Sequence, residues 1–262
     1  MEILGYLASV FIGIILGLIG AGGSIMTVPI VVYLFKINPE RATSYSLFIV
    51  GITSLVGVIR YYKEGLIELK TAFSFAIPSI LTLILIRKFI MPMVPKELFS
   101  IGNFMVSKDH FIMLIFAVLM ILSSISMIKS ENQNTKPVRA SNTKLIILGL
   151  MVGVITGVLG AGGGFMIIPA LVFFGGLEMK TAVGTSLLII SINTLFGFTG
   201  DIINGITVDI KLLTIITIFA IFGMFIGSQL AKKIPGQKLR PVFGWFVLIM
   251  GIYIIIKEII LT

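Results

Sequence analysis

The sequence predicts an all-α integral membrane protein with about eight transmembrane helices in two repeats, each opening with a glycine-broken or re-entrant helix. Three observations predict this fold class. Of the 262 residues, 57% are hydrophobic and 12% are charged, which is more apolar surface than a water-soluble domain of this size buries. Apolar runs long enough to span a bilayer, about 20 residues each, alternate with short polar links. A glycine-rich segment also occurs twice, at 17–29 and at 157–169.

Composition excludes several classes of protein. Runs such as 212–230 are apolar on every side, whereas the strands of a porin-type barrel alternate apolar and polar residues. The net charge is +9, but Lys and Arg lie almost entirely in the links, where they contact anionic lipid headgroups rather than nucleic acid. The chain has no cysteine, so disulfides, thiol catalysis and thiolate metal sites are excluded.

The first element consists of two apolar arms, residues 2–19 and about 26–35, joined by a glycine cluster. At 1.5 Å per residue the arms are roughly 27 Å and 15 Å long. Together they are too long for one straight span and too short for two. The sequence therefore predicts a broken helix or a re-entrant hairpin whose turn is the cluster, with Pro29 in the first turn of the second arm.

Three predicted spans complete repeat one, residues 1–128. They cover about 43–60, 71–86 and 111–128, and the charged stretch 87–110 is predicted to be mostly an interfacial connection with a solvated or interfacial His110. The polar segment 129–144 is the predicted linker. Repeat two, residues 145–262, restarts the pattern with a broken element over about 145–176 and spans near 182–200, 210–230 and 241–257.

The two repeats align without a gap over their most similar part. Residues 17–57 and 157–197 are identical at 15 of 41 positions, and tandem duplication of this kind occurs in many secondary transporters. If each broken element returns to its own side, the repeats are inverted, and if it crosses, they are parallel. The distribution of Lys and Arg does not decide between the two. We favour inversion, because it brings the two clusters from opposite faces to a shared midplane.

The glycine clusters are the candidate substrate site. Irregular backbone at membrane depth requires protein or water around it, and glycine allows the chain to turn with positive φ and to present free N–H groups. A helix restarting after each cluster, with Pro169 in the first turn of the second one, would add the positive end of its dipole, which favours an anion. The residues predicted to bind the anion here are Gly20, Ala21, Gly22, Gly23, Ser24, Gly160, Ala161, Gly162, Gly163 and Gly164.

Glycine also has a structural interpretation in these segments. Gly13 and Gly17 in repeat one, and Gly153 and Gly157 in repeat two, have the small-xxx-small spacing of helix-packing surfaces, which is the better explanation for those pairs. Adjacent glycines lie on different helix faces, so packing does not explain the clusters themselves.

Polar residues in the following spans complete the predicted anion site. Ser44 and Ser46 in repeat one, and Thr185 and Ser186 in repeat two, could offer hydroxyls and exposed amides, although ordinary N-capping explains them equally well. Asn193 lies in the middle of a predicted span, where its amide would line the pore and donate to the anion. The alternative is a buried hydrogen bond to another helix. Asp201 is the candidate for coupling to protons or another ion, with a solvated helix end as the alternative. Because no charge is predicted within a span, backbone amides and helix ends would have to hold the anion.

The motif Gly-x-x-Gly-Ala-Gly-Gly-[Ser/Gly]-x-Met-x-x-Pro in both halves, with Ala182-Val-Gly-Thr-Ser-Leu187 and the charged span end 209–211, resembles the sulfite exporter TauE/SafE family of membrane permeases. The resemblance covers nearly the whole chain. It implies export or uptake of small sulfur-containing or organic anions, such as sulfite, sulfonates or sulfoacetate, driven by ion gradients. Two departures concern substrate and coupling: Asp201 and Tyr61 stand where many relatives carry histidine, and Thr43-Ser-Tyr-Ser-Leu47 replaces Gly-Thr-Ser-Leu.

The sequence therefore predicts a secondary transporter of small anions in a prokaryotic plasma membrane, working by alternating access. Its expected partners are the anionic solute, protons or another coupling ion, and membrane lipid. No nucleic acid, cofactor, metal ion or catalytic residue is expected. The alternatives are an anion channel, an intramembrane enzyme or a scaffold.

Overall fold

The computed structural model describes residues 2–20, 24–95, 97–101, 104–129, 142–159, 164–231 and 236–260. In this part of the chain the helices are α1 Glu2–Ile19, α2 Ser24–Phe35, α3 Pro39–Lys63, α4 Leu69–Leu85, α5 Met91–Met93, α6 Lys108–Lys129, α7 Asn142–Leu159, α8 Gly164–Phe173, α9 Met179–Ile203, α10 Ile210–Leu230 and α11 Gly236–Ile260. Strands β1 Glu97–Ile101 and β2 Phe104–Ser107 form an antiparallel hairpin.

The helices confirm an all-α membrane protein, with one short β-hairpin that was not expected. Among the described residues, five helical segments are long and apolar enough to cross a membrane, and three shorter apolar helices accompany them. The five long segments are Pro39–Lys63, Leu69–Met93, Lys108–Ile125, Met179–Ile203 and Ile210–Leu230. The shorter ones lie within α1, α2 and α7.

Helices α1 and α2 form a re-entrant hairpin. The ring of Phe35, the last residue of α2, lies against Gly5 near the start of α1, and the Tyr6 and Phe35 ring centroids are 5.7 Å apart. The chain thus returns to the end of the molecule at which α1 begins, which we call the α1 end. Gly20, at the turn, has φ of 78°, so the expected use of positive φ is confirmed at this residue.

Pro29 is not in the first turn of its helix, as had been expected. Because α2 begins at Ser24, Pro29 is its sixth residue and lies inside the helix. Pro169 has the same position in α8, which begins at Gly164. Proline has no N–H, so the carbonyl of Ile25 lacks its usual helical donor.

Helices α3 and α9 run antiparallel at the centre of the molecule. Ser44 meets Asp201 near the start of α3, the rings of Phe48 and Phe198 are 4.9 Å apart, and Tyr61 lies against Gly184 near the end of α3. Because α3 begins just after Phe35, it runs from the α1 end to the opposite end.

The direction of α7 is opposite to that of α1. Helix α4 begins where α3 ends, and α7 runs parallel to it, with Gly149 against the Phe75 carbonyl and Gly153 against the Ser79 carbonyl. Helix α7 therefore begins at the end opposite to α1, which we call the α7 end.

Glycine allows two helix pairs to approach closely. A Cβ built on Gly13 of α1 would lie 1.9 Å from the Ala220 carbonyl oxygen of α10, and one on Gly223 would lie 1.9 Å from the Val10 carbonyl oxygen. Gly17 packs on α10 and Gly153 on α4 in the same way, and a Cβ on Gly157 would lie 2.8 Å from Cβ of Ile86, just after α4. The packing interpretation of the small-xxx-small pairs is therefore confirmed.

The stretch 87–110 differs most from the sequence prediction. The third span does not end at residue 86, because a π-helical segment, Ile86–Ile90, joins α4 to α5 in one continuous helix, Leu69–Met93. The strands of the β-hairpin and the first turn of α6 also lie in this stretch. Helix α6 ends at Lys129 and α7 begins at Asn142; residues 130–141, the centre of the predicted linker 129–144, lie outside the described part.

Gly13→Ala is expected to destabilise the protein by about 1–3 kcal/mol or more, because a Cβ at this position forces the α1 and α10 backbones apart. Gly200→Ala is the matched control, since a Cβ there meets nothing within 4 Å and alanine favours a helix over glycine by about 1 kcal/mol. Thermal unfolding in detergent measures both. Equal stability of the two variants would contradict the close packing.

Candidate functional site

The first glycine cluster contacts the second half of the chain. A Cβ built on Gly20 would lie 2.7 Å from Cγ1 of Val183 on α9 and 3.5 Å from Cδ1 of Ile168 on α8. Ile168 is one helical turn from Gly164, where α8 begins. The hairpin turn therefore lies close to the start of α8.

The remaining predicted cluster residues are only partly described. Ala21, Gly22 and Gly23 in the first cluster, and Gly160, Ala161, Gly162 and Gly163 in the second, lie outside the described residues. Ser24 and Gly164 are the first residues of α2 and α8, so the positive end of each helix adjoins its cluster.

The predicted hydroxyls lie inside helices rather than at their N-termini. Helix α3 begins at Pro39 with Asn38 as its N-cap, and α9 begins at Met179 with Glu178 as its N-cap. The N-capping interpretation of Ser44, Ser46, Thr185 and Ser186 was therefore wrong, and so was the expectation of exposed amides there. All four side chains are buried.

The hydroxyls have different partners. Ser186 donates to the Val183 carbonyl at 2.8 Å, and Thr185 accepts from the Glu68 N–H at 2.9 Å. Ser44 donates to Asp201. The Ser46 hydroxyl has no hydrogen-bond partner in the described part of the chain.

Asn193 makes an interhelical hydrogen bond. Its Nδ2 donates to Oγ of Ser79 on α4 at 2.7 Å, as the alternative interpretation had it. Its Oδ1 is buried without a partner in the described region. One half of the amide is thus used in packing α9 on α4.

Asp201 forms a buried ion pair with Arg87. Asp201 is 2% and Arg87 6% exposed, and Nη1 of Arg87 donates to Oδ2 of Asp201. The same Asp201 oxygen accepts from Ser44. Asp201 is therefore not a solvated helix end, although it lies in the last turn of α9.

Arg87 is held from a second side by the end of α7. Its Nε donates to the Gly157 carbonyl at 3.1 Å, one of the last four carbonyls of α7, which have no donor within the helix. The negative end of a helix dipole favours a cation. We call Ser44, Arg87, Gly157 and Asp201 the Arg87 cluster.

The sequence prediction missed Arg87 and the buried charge. It placed Arg87 in a connection after the third span, and it expected no cation within the spans; both expectations were wrong. Arg87 follows an apolar run without any intervening turn residue, and the first proline beyond it is Pro92. Those two facts are compatible with a helix that continues past Arg87.

A cavity of about 160 Å³ adjoins the Arg87 cluster at the α1 end. Besides Arg87 and Asp201, its lining residues are Glu40, Thr43, Met91, Pro92, Asn204 and Ile206. Glu40 is paired with Lys108 at 2.8 Å, and Lys108 also donates to the Met91 carbonyl at 2.9 Å. The cavity lining therefore carries two carboxylates and one cation, and Lys108 pairs with Glu40 from outside the lining.

His110 is only partly exposed, and its side chain lies near a carboxylate. It is 21% exposed, and its Nε2 lies 3.8 Å from Oε2 of Glu258. Oε1 of Glu258 accepts from the Tyr33 hydroxyl at 2.9 Å. These two contacts join the start of α6 to the ends of α2 and α11, at the α1 end.

Comparison with known proteins agrees with the sequence resemblance. The family model described as sulfite exporter TauE/SafE matches residues 5–254. The chain belongs to this family. Among its relatives, the probable membrane transporter protein YdhB of Bacillus subtilis is 28% identical over 235 residues, which cover 87% of this chain and 90% of the relative.

Relatives from other organisms are similarly named. A probable membrane transporter protein of Xylella fastidiosa is 28% identical over 259 residues, covering 93% of this chain and 91% of the relative. Another, the probable membrane transporter protein MJ0441 of Methanocaldococcus jannaschii, is 26% identical over 263 residues, which cover 94% of this chain and 92% of the relative. This TauE/SafE protein is a multi-pass membrane transporter of the plasma membrane.

Arg87→Met is expected to lower the free energy of unfolding by about 3–5 kcal/mol, because it leaves the buried Asp201 carboxylate without its cation. The double variant Arg87→Met/Asp201→Leu is expected to recover most of this loss. SDS-induced unfolding in mixed micelles measures the difference.

Arg60→Met is the control for that experiment, because the Arg60–Glu64 pair is more exposed, at 24% and 39%, and an exposed pair of this spacing is worth about 0.3–0.5 kcal/mol. If Arg87→Met costs no more than Arg60→Met, the Arg87–Asp201 pair is not the buried interaction described here.

Proposed function

We propose that this transporter is a secondary carrier of small anions, with sulfur-containing anions such as sulfite, sulfonates and sulfoacetate-like compounds as substrates, and that it works by alternating access. The observation that carries the proposal is the opposite direction of α1 and α7, which begin at opposite ends of the molecule. A carrier needs a site that can open to either side. Membership of the sulfite exporter TauE/SafE family supports the choice of substrate class.

The two halves, 1–128 and 145–262, are proposed to be inverted repeats of about four helices each, joined by 129–144. Paired contacts support this. Helix α1 packs parallel to α10, as α7 packs parallel to α4. Thr185 accepts from the Glu68 N–H at 2.9 Å, and Tyr45 accepts from the Asp209 N–H at 2.6 Å. Tyr45 lies 140 residues before Thr185 and Asp209 lies 141 residues after Glu68, so the two contacts occupy corresponding places in the two halves.

The substrate site is proposed to lie where the two glycine clusters approach each other, near the middle of the bilayer. Its ligands would be the cluster amides, the N-terminal amides of α2 and α8, and the buried hydroxyls and amide of α3 and α9. Two observations support a shared site. Gly20 lies near the start of α8, and Ser46 and Asn193 carry buried polar atoms with no partner in the described chain.

Transport is proposed to involve no catalysis. An anion channel is the alternative within transport.

Counterflow in proteoliposomes distinguishes these functions. A carrier preloaded with unlabelled sulfite is expected to take up labelled sulfite transiently above its equilibrium level, with a rate that saturates. Passive flux without saturation or exchange would instead indicate a channel, and conversion of the solute would indicate an enzyme. Absence of flux across a panel of sulfite, thiosulfate, sulfonates and carboxylates would contradict the proposed function.

Gly163→Val is expected to weaken anion binding by about 10–100-fold, because a β-branched residue disfavours the turn, and a lost hydrogen bond to a charged group is worth about 1.5–3 kcal/mol. Gly200→Val is the control, at a site with nothing within 4 Å. Binding measured by thermal shift should change only in the first variant. Unchanged binding in a folded Gly163→Val protein would contradict the glycine-cluster site.

A further inference from the structure

We propose that Arg87 is the side chain that binds the transported anion, and that the anion and the Asp201 carboxylate compete for its guanidinium, so that one proton is taken up with each anion. This inference rests on the proposed function and specifies the coupling of the same transport site.

The Arg87 guanidinium has one nitrogen to spare. Nε is used by the Gly157 carbonyl and Nη1 by Asp201, but Nη2 is buried and has no hydrogen-bond partner among the described residues. An unpartnered donor of a buried charged group is costly. Arg87 also lines the cavity at the α1 end, so a small solute that enters the cavity can reach it.

The chemistry of the guanidinium selects an oxyanion. Its five N–H groups form a planar fork that binds two oxygens of one carboxylate, phosphate or sulfonate side by side. An anion that binds Nη1 and Nη2 side by side competes with the Asp201 carboxylate for Nη1. A sulfite or sulfonate group, with several oxygens, fits that pair of nitrogens.

Competition with Asp201 couples the anion to a proton. While Asp201 is ionised, it occupies Nη1 and repels a second negative charge in the cavity. A proton from the aqueous cavity converts the carboxylate to a neutral acid, and the anion then takes its place on the guanidinium. One anion and one proton enter together without changing the net charge of the site. By thermodynamic reciprocity, the anion favours protonation as much as protonation favours the anion.

The other charged groups on the elements around Asp201 are either paired or exposed. Glu40 on α3 lines the same cavity, and Lys108 on α6 neutralises it at 2.8 Å. The Asp209 carboxylate after α9 accepts from the Leu212 N–H at 3.0 Å. On the π-helical segment, Lys88 is exposed. The end of α7, whose Gly157 carbonyl accepts from Arg87, carries no titratable side chain in its described part.

The equivalent place in the other half carries no ion pair. Applying the 140-residue offset to Ser44 and Asp201 leads to Gly184 and Tyr61, which contact each other at the α7 end. The competition is therefore confined to one end of the molecule.

The test uses methanesulfonate, which carries a single charge throughout the pH range from about 5 to 8, so any pH dependence comes from the protein. Calorimetry of purified full-length protein in buffers of different ionisation enthalpy counts protons. For wild type at the upper end of this range, we expect about one proton taken up per anion and an affinity that rises about tenfold for each unit of acidification.

Asp201→Asn is expected to abolish both proton uptake and pH dependence, and to bind methanesulfonate at high pH as tightly as wild type does at low pH. Glu178→Gln is the matched control, since this exposed carboxylate at the start of α9 has no side-chain hydrogen bond to the helix. It should behave as wild type in both respects.

Arg87→Gln/Asp201→Asn tests the cation while avoiding an unpaired buried charge. The double variant is expected to remain folded and to bind methanesulfonate at least about 100-fold more weakly than Asp201→Asn, because it lacks the charged donors. Arg87→Lys/Asp201→Asn keeps the charge without the fork and should bind with intermediate affinity.

Three results would overturn the inference. They are proton uptake that persists in Asp201→Asn, methanesulfonate binding that survives in the folded Arg87→Gln/Asp201→Asn variant, and no methanesulfonate binding by wild type at any pH in the range. Sulfite counterflow by wild type would still stand in each case, so failure of this inference is distinguishable from failure of the proposed function.

Discussion

Helices α3 and α9 pack antiparallel at the centre of the molecule, and α10 packs on α3 as α4 packs on α9. The central helices α3 and α9 bring the hydroxyls, Asn193 and Asp201 into the interior, and the loops that follow them are tied to the opposite helix through Thr185 and Tyr45. A helix that spans a bilayer makes its backbone hydrogen bonds within itself. Which helices pack together therefore depends on the size and polarity of their side chains. Gly51 and Gly197 allow the backbones to approach here.

Buried charge is tolerated where its hydrogen-bonding capacity is largely met. The Asp201 carboxylate accepts hydrogen bonds from Arg87 and Ser44, and Arg87 also donates to the Gly157 carbonyl at the end of α7. Removing a charge from water costs several kcal/mol, so a pair at this depth persists only with such support. Nη2 of Arg87 has no partner among the described residues, and the Arg87 side chain lines a cavity. A packing role alone does not require either the cavity or the spare nitrogen.

Much of the fold was predictable because apolar length and glycine spacing report directly on membrane helices. The predicted range 210–230 coincides with α10, and the packing role of Gly13 and Gly153 followed from their spacing. Span ends were less predictable. Charged residues after an apolar run usually mark an interface, yet α4 continues through Arg87 because Asp201, 114 residues further along the chain, compensates its charge. The local sequence contains no signal for such a distant partner.

The inverted arrangement of the two halves is the central claim, and cysteine accessibility tests it most directly. The chain has no native cysteine, so Lys63→Cys and Ile203→Cys each introduce a single thiol, at the ends of α3 and α9. In oriented membrane vesicles, a membrane-impermeant maleimide applied from one side is expected to label one variant and not the other, and to reverse this pattern from the other side. Labelling of both variants from the same side would contradict the inverted arrangement.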